Sequence, residues 1–270
     1  MKKLVVGIAM VILVLILSVG VLTASATSPL KWSQPAYQIG KDITGLPIYW
    51  GWDQMSWTFG NPQQGGPLNG PQAADDWMCT DQLPVTDFHW WGSYVGSLNP
   101  NPPITPIGFW FGIYSDIPVQ PGLNYSMPGH LLWEYSTTNY QETFVGYDTR
   151  INDPTVPAVL DDATFQYNVY LPQSNWYYQP GNKTIYWLSI VAIYQPGGAI
   201  QEWGWKSRPH FFQDDAVYAN SNIGWSPLIG PDGNSWDLSF EISTVPEPGS
   251  FLALGTGLVG LAGFVIRRRK

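Results

Sequence analysis

The sequence predicts an all-β fold, an antiparallel β-sandwich of jelly-roll type. Three observations predict it. Glycine and proline, 28 and 24 residues, punctuate the chain every several positions. Several segments alternate apolar and polar residues with the period of a half-buried strand. No long apolar stripe with helical period interrupts them. Helix is expected only at the two ends, as an N-terminal signal helix and a C-terminal membrane-spanning helix.

In chain order, "VTDFHWWGSY" (85–94) is a strand candidate. "PIGFWFGIYSD" (106–116) puts Ile107, Phe109, Phe111 and Ile113 on one face and Gly108, Trp110, Gly112 and Tyr114 on the other. "HLLWEYS" (130–136) follows. "ATFQYNVYL" (163–171) alternates cleanly. "IYWLSIVAIY" (185–194) is apolar on both faces, as in a central strand covered on both sides. "DLSFEIS" (237–243) turns Leu238, Phe240 and Ile242 inward. Residues 60–72 and 97–106 are rich in Gly, Pro and Asn and read as loops. No composition shift divides the middle, so residues 27–244 form one exported domain.

The ends carry targeting patterns. Met1-Lys2-Lys3 precedes an apolar run to Leu22, and Ala24-Ser25-Ala26 offers a small-x-small cleavage site. This is the pattern of a secretory signal peptide, residues 1–26, cut by signal peptidase. At the other end, Phe251 to Ile266 is charge-free. As a helix it is about 24 Å long, against a bilayer core of about 30 Å. Arg267, Arg268, Arg269 and Lys270 follow it and favour the cytoplasmic side. Residues 245–270 therefore read as a separate sorting segment, whose span is short enough to serve as a temporary stop during export.

That segment resembles the PEP-CTERM sorting signal in its Pro246-Glu247-Pro248 motif, its apolar span and its basic end. The resemblance implies an exosortase, a membrane transpeptidase, as processing partner. It also implies delivery to the cell surface or extracellular matrix of an exopolysaccharide-building bacterium, with only a transient membrane anchor. The exported part resembles an uncharacterised family of secreted bacterial β-rich domains. The segments that carry this are "ADDWMCT" (74–80), "VTDFHWWGSY", "FGIYSDIP" (111–118), "YSMPGHLLW" (125–133), "YWLSIVA" (186–192) and "WGWKSRPHFFQDDAVY" (203–218). That resemblance implies a single β-rich domain and no catalytic residues.

Charge and chemistry narrow the function. Outside the two terminal segments there are 6 basic and 19 acidic residues, a net charge of −13. Such a surface repels phosphate backbones, so no nucleic-acid partner is expected. Cys79 is the single cysteine, which excludes an intramolecular disulfide; it reads as a small buried hydrophobe. The three histidines have no metal-ligand spacing, and neither a nucleophile elbow nor a phosphate loop is present. The chain is expected not to be an enzyme.

Aromatics dominate, with 15 Trp and 15 Tyr. Most belong in a packed core. Adjacent pairs such as Trp90-Trp91 and Tyr177-Tyr178 cannot both point inward on a strand. Rings on loops or outer faces could stack on sugars, and Trp176, Tyr177, Tyr178, Trp203 and Trp205 are the candidates. Acidic pairs recur at Asp75-Asp76, Asp161-Asp162 and Asp214-Asp215. No motif demands a cofactor, but calcium is the cation such carboxylates would take, with Asp75, Asp76, Asp214 and Asp215 as candidate ligands. The expected function is a non-catalytic structural or adhesive matrix protein. The alternative is a carbohydrate-binding module for exopolysaccharide, and the third reading is a glycan hydrolase.

Overall fold

The computed structural model describes residues 29–60, 70–150, 159–180, 183–220, 223–230 and 233–245. The signal segment with Ala24 and Ala26, the sorting motif from Pro246 to Lys270 and both expected terminal helices lie outside the described residues. Among the described residues no helix is long and apolar enough to cross a membrane.

The described chain is nearly all strand. In order, it forms β1 (Leu30–Gln34), β2 (Tyr37–Lys41), β3 (Pro47–Trp50), β4 (Asp53–Met55), β5 (Trp57–Phe59) and β6 (Gln72–Cys79). Next come β7 (Asp87–Tyr94), β8 (Gly108–Ile117), β9 (Met127–Thr137), β10 (Gln141–Thr149), β11 (Ala163–Tyr170) and β12 (Thr184–Tyr194). The last five are β13 (Trp203–Pro209), β14 (Val217–Asn220), β15 (Ile223–Pro227), β16 (Trp236–Leu238) and β17 (Phe240–Ser243).

Two sheets face each other. One has the order β1-β17-β7-β11-β10-β3-β2, with β13 joined to β7, β4 and β16. The other has the order β15-β14-β6-β12-β8-β9. Most pairings are antiparallel; β10–β3 and β12–β5 are parallel. The first sheet curls back on itself. The pairings run β7–β11–β10–β3, and the chain passes from β3 into β4, which pairs with β13, which returns to β7. Gly51 makes the corner at φ +136, where a Cβ would lie 2.2 Å from the Ser207 carbonyl oxygen. Trp52 and Ser207 then exchange hydrogen bonds, the Trp52 amide to Ser207 Oγ and the Ser207 amide to the Trp52 carbonyl, each 2.8 Å.

The core lies between the sheets and is aromatic. From β7, Phe88 and Trp90 point inward; from β8, Phe109 and Phe111 meet them. Phe88 stacks on Phe111 at 5.0 Å, and Trp90 touches Phe109, Phe111 and Tyr167 at 5.0, 5.2 and 5.3 Å. Edge-to-face and offset pairs of this kind add to simple burial. The alternation expected on "PIGFWFGIYSD" holds for Phe109, Phe111 and Ile113, whereas Ile107 lies just before β8 and is half exposed. β12 is buried on both faces, as expected of a central strand. "DLSFEIS" is two strands rather than one, because pairing passes at Ser239 from β13 to β7: the Ser239 amide donates to the Lys206 carbonyl at 2.8 Å and its carbonyl accepts the Trp91 amide at 3.3 Å; Leu238, Phe240 and Ile242 all reach the core.

Trp90→Ala should therefore cost about 3–5 kcal/mol of stability, read as a lower urea midpoint. Tyr178→Ala, at an exposed ring, should stay within about 0.5 kcal/mol.

Candidate functional site

Two places gather chemistry. The first is a surface groove of about 610 Å3 lined by Ser115, Asp116, Leu132, Tyr177, Tyr178, Pro180, Thr184, Ile185 and Tyr186. It lies where β8, β9 and the start of β12 meet the segment that leads into β12. Tyr177 exchanges backbone hydrogen bonds with Val85 at 2.8 and 3.3 Å, which pins its backbone to the start of β7. That bridge turns the Tyr177 ring inward against Tyr186 and Trp133, with centroids at 6.0 and 6.1 Å. The next side chain must point the other way, and Tyr178 is 61% exposed. Leu132 beside it is also exposed. Asp116 is held by Trp187 Nε1 at 2.9 Å, and its carboxyl is raised above the usual range by burial, with the Asp214 charge adding to it. Ser115 Oγ accepts the His130 amide at 3.0 Å. The groove thus brings together one exposed ring, a hydroxyl and a carboxylate.

Of the five candidate stacking residues, only Tyr178 presents its ring to solvent. Trp203 and Trp205 are fully buried in the core. They alternate with Gly204 and Lys206 on β13, so both rings face the opposite sheet, and Trp203 meets Phe109 at 5.2 Å. Trp176 packs against the core and donates to the Leu171 carbonyl at 3.1 Å. Trp91, the neighbour of buried Trp90, is covered on the outer face by Ala36, Tyr49 and Val145.

The second place is a buried ionic cluster on the side of the curled sheet that turns away from the core. Lys206 on β13 is wholly enclosed and pairs with Asp53 at 2.7 Å and with Asp148. Asp148 Oδ1 accepts the Asp162 amide at 2.9 Å, and Asp162 Oδ1 accepts the Ser97 amide at 2.7 Å. Burial pushes the Asp53 carboxyl well up; Lys206 opposes this, while Asp148 and Asp162 reinforce it. Burial pulls the Lys206 ammonium down, but the Asp148 and Asp53 carboxylates outweigh it and leave the amine above its ordinary value. Among the described residues, Asp53, Asp148 and Asp162 are the carboxylates whose oxygens lie within 4.8 Å of one another. A divalent cation could use those oxygens only in competition with Lys206.

The calcium candidates do not converge on one point. Asp75 and Asp76 are neighbours within β6, so they face opposite sides of the sheet. Asp75 faces inward and its oxygens are taken by Gln34 Nε2 and the Leu238 amide, at 2.7 and 2.6 Å, and by the Asp76 amide. Asp215 lies toward His210, at 3.9 Å. Asp76 is 1% exposed, and neither of its carboxylate oxygens has a hydrogen-bond partner. Burial, followed by the charges of Asp214, Asp237 and Asp116, raises its carboxyl to about 9. Cys79 is buried in the core, as its sequence context suggests.

The comparisons divide the chain where its composition does. A family model described as "Domain of unknown function (DUF7901)" matches residues 30–243. The chain belongs to that family. A second model, described as "PEP-CTERM protein-sorting motif", matches residues 244–270. The DUF7901 chain is therefore exported, sorted to the cell surface and processed by exosortase. No characterised protein matches it by sequence.

Asp76 yields a pH-dependent prediction. Its folded value of about 9 lies above the unfolded 3.8, so its contribution to stability is fully present below 3.8 and is lost as pH rises toward 9. The slope approaches about 1.4 kcal/mol per pH unit. Asp76→Asn should flatten that decline and raise stability at pH 7 by about 2–4 kcal/mol. Urea denaturation at pH 5, 7 and 9 measures it. Melting in calcium and in chelator supplies the opposing result: a calcium-dependent rise that Asp76→Asn abolishes would put a cation, not a proton, on this carboxylate.

Proposed function

We propose that the DUF7901 domain is a non-catalytic component of an extracellular matrix, a rigid module that adheres to exopolysaccharide through the Tyr178 groove. The observation that carries this reading is the exposed Tyr178 ring in a groove that Ser115 and Asp116 also line. A sugar presents an apolar C–H face and a rim of hydroxyls. The ring suits the first, while the Asp116 carboxylate and Ser115 hydroxyl suit the second. The aromatic core supports the structural half of the reading: β8 and β12, which carry Ser115, Asp116 and Tyr186, pack on it, and the Tyr177–Val85 bridge ties the Tyr178 segment to the start of β7. Sorting to the surface supports the location.

Binding is tested with exopolysaccharide from the native host and with neutral polysaccharides, by isothermal titration or affinity electrophoresis. Tyr178→Ala should weaken binding about tenfold or more, consistent with the ~1–3 kcal/mol that one aromatic stacking contact contributes. Trp176→Ala would act mainly through stability. Unchanged affinity in a folded Tyr178→Ala protein would remove the groove from the reading. Soluble reducing ends released from labelled glycans would favour a hydrolase instead.

The tail completes the proposal. Exosortase cleavage at or near Pro246-Glu247-Pro248 would remove the apolar span, so the membrane anchor is transient. Mass spectrometry of surface material should then find no peptide beyond about residue 249. An intact Lys270 end on most surface molecules would show a permanent anchor.

A further inference from the structure

Lysine side chains normally keep their ammonium in water, and Lys206 does not. Its nearest oxygens belong to two carboxyl groups. An amine and a carboxyl held together away from solvent are the reactants of an amide bond. We propose that Lys206 and Asp53 condense in the folded domain to an isopeptide bond between Nζ and the Asp53 carboxyl carbon, with release of one water.

Four observations carry this. Lys206 and Asp53 stand directly opposite each other on the antiparallel pair β13–β4. That pairing is held close by Gly51 and by Gly204, where a Cβ would lie 2.5 Å from Asp53 Cβ. Nζ lies 2.7 Å from Asp53 Oδ1, in direct contact with the carboxyl group. Asp53 is buried with its oxygens within 4.8 Å of those of Asp148 and Asp162, and burial with these two charges favours its protonated form, against the pull of Lys206. A neutral carboxyl is an electrophile, whereas a carboxylate is not. Finally, Asp148 touches Nζ as well and is itself fixed by Ser93 Oγ at 3.3 Å and by the Asp162 amide. It is placed to take the ammonium proton.

The step balances. Lys206 starts as an ammonium, Asp148 and Asp162 as carboxylates and Asp53 as a neutral acid. Nζ gives one proton to Asp148, and its lone pair attacks the Asp53 carbon, forming the C–N bond. A second proton passes from Nζ through Asp162 to the Asp53 hydroxyl. The C–O bond then breaks with its electron pair, and water leaves. The product is an amide, with Asp148 protonated and Asp162 ionised, so the charge of the cluster is unchanged.

The bond would tie β4 to β13 and seal the curl of the first sheet. With a single cysteine, the chain has no intramolecular disulfide to do this.

The test is mass spectrometry of the full chain, denatured and digested. The expected result is a branched peptide joining the Lys206 and Asp53 segments, lighter by one water than their sum, with the linear Lys206 peptide largely absent. Lys206→Met and Asp53→Ala should each restore the linear partner peptide. Asp148→Ala should leave most of the chain unlinked although both reactants remain. Quantitative recovery of linear, unmodified Lys206 and Asp53 peptides from the wild-type chain would overturn the proposal. So would assignment of the lost water to a succinimide at the Asp232-Gly233 step. A branch at Asp148 would overturn the choice of Asp53 as acceptor. Because the wild-type digest decides the matter, a variant that fails to fold leaves the test intact.

Discussion

The burial of Lys206 constrains more of this fold than any other single residue. Removing an ammonium from water costs several kcal/mol even after relaxation, and it must be met by oxygens at contact distance. Those oxygens come from Asp53 on β4 and Asp148 on β10, elements that are far apart in sequence. Bringing them to β13 requires the first sheet to curl until β4 lies against β13. The curl in turn requires a corner without a side chain at Gly51 and a thin strand at Gly204. Charge pairing, glycine placement and sheet topology are thus one arrangement described at three levels. Removing any carboxylate would leave a charge stranded, which is costlier than never having had the pair.

The aromatic core solves the other half of the problem. The rings of Trp90, Phe109, Tyr167 and Trp203 span the gap between the sheets, each touching at least two of the others. Large rings fill a sandwich interior with few side chains and little rotamer entropy, which suits a domain that alternates rings with glycine along β7, β8 and β13. The cost is a set of indole N–H groups without partners, among them those of Trp77, Trp90 and Trp203. An aromatic side chain that reaches solvent in such a fold does so because a backbone constraint sends it there. At Tyr178 the constraint is the bridge between Tyr177 and Val85.

How much of this could be read from the sequence depended on the range of the interactions. β8 and β11 were legible because period-two alternation is a local pattern that a buried face imposes directly, and β12 because an unbroken apolar run marks a strand covered on both sides. β6 was not, since Asp75 and Asp76 read as candidate cation ligands although they lie mid-strand. Only the distant Gln34 and Leu238 amide make Asp75 tolerable there. Trp203 and Trp205 read as rings free to stack on sugars, yet both lie in the core. Between them and the next turn, Lys206 faces Asp53 and Asp148 rather than solvent, so the outer side of β13 is a second interior there. The cluster of residues 53, 148, 162 and 206 has no sequence signature at all, because four separate stretches contribute one side chain each. The sorting signal, by contrast, is read by a membrane enzyme as a linear segment, and it is fully visible in the linear sequence.

Burial also sharpens the chemistry of the proposed ligand. Of the six cations outside the terminal segments, Lys31 and Lys206 are buried. Arg150 is stacked on Trp52 and paired with Asp161, and Arg208 is stacked on Phe211. Asp75, Asp76, Asp87, Asp148, Asp162 and Asp237 are buried as well, so the solvent-facing surface stays acidic but less so than the formal charge of −13. No basic residue lines the Tyr178 groove, and Asp116 does. A polymer of uronates or phosphates would meet repulsion from every side, undiminished within the ~8 Å screening length of physiological salt. A neutral polysaccharide meets none, and its hydroxyls can donate to Asp116. On the proposed reading the groove favours a neutral glycan, and an anionic one would need divalent cations between its charges and those of the protein.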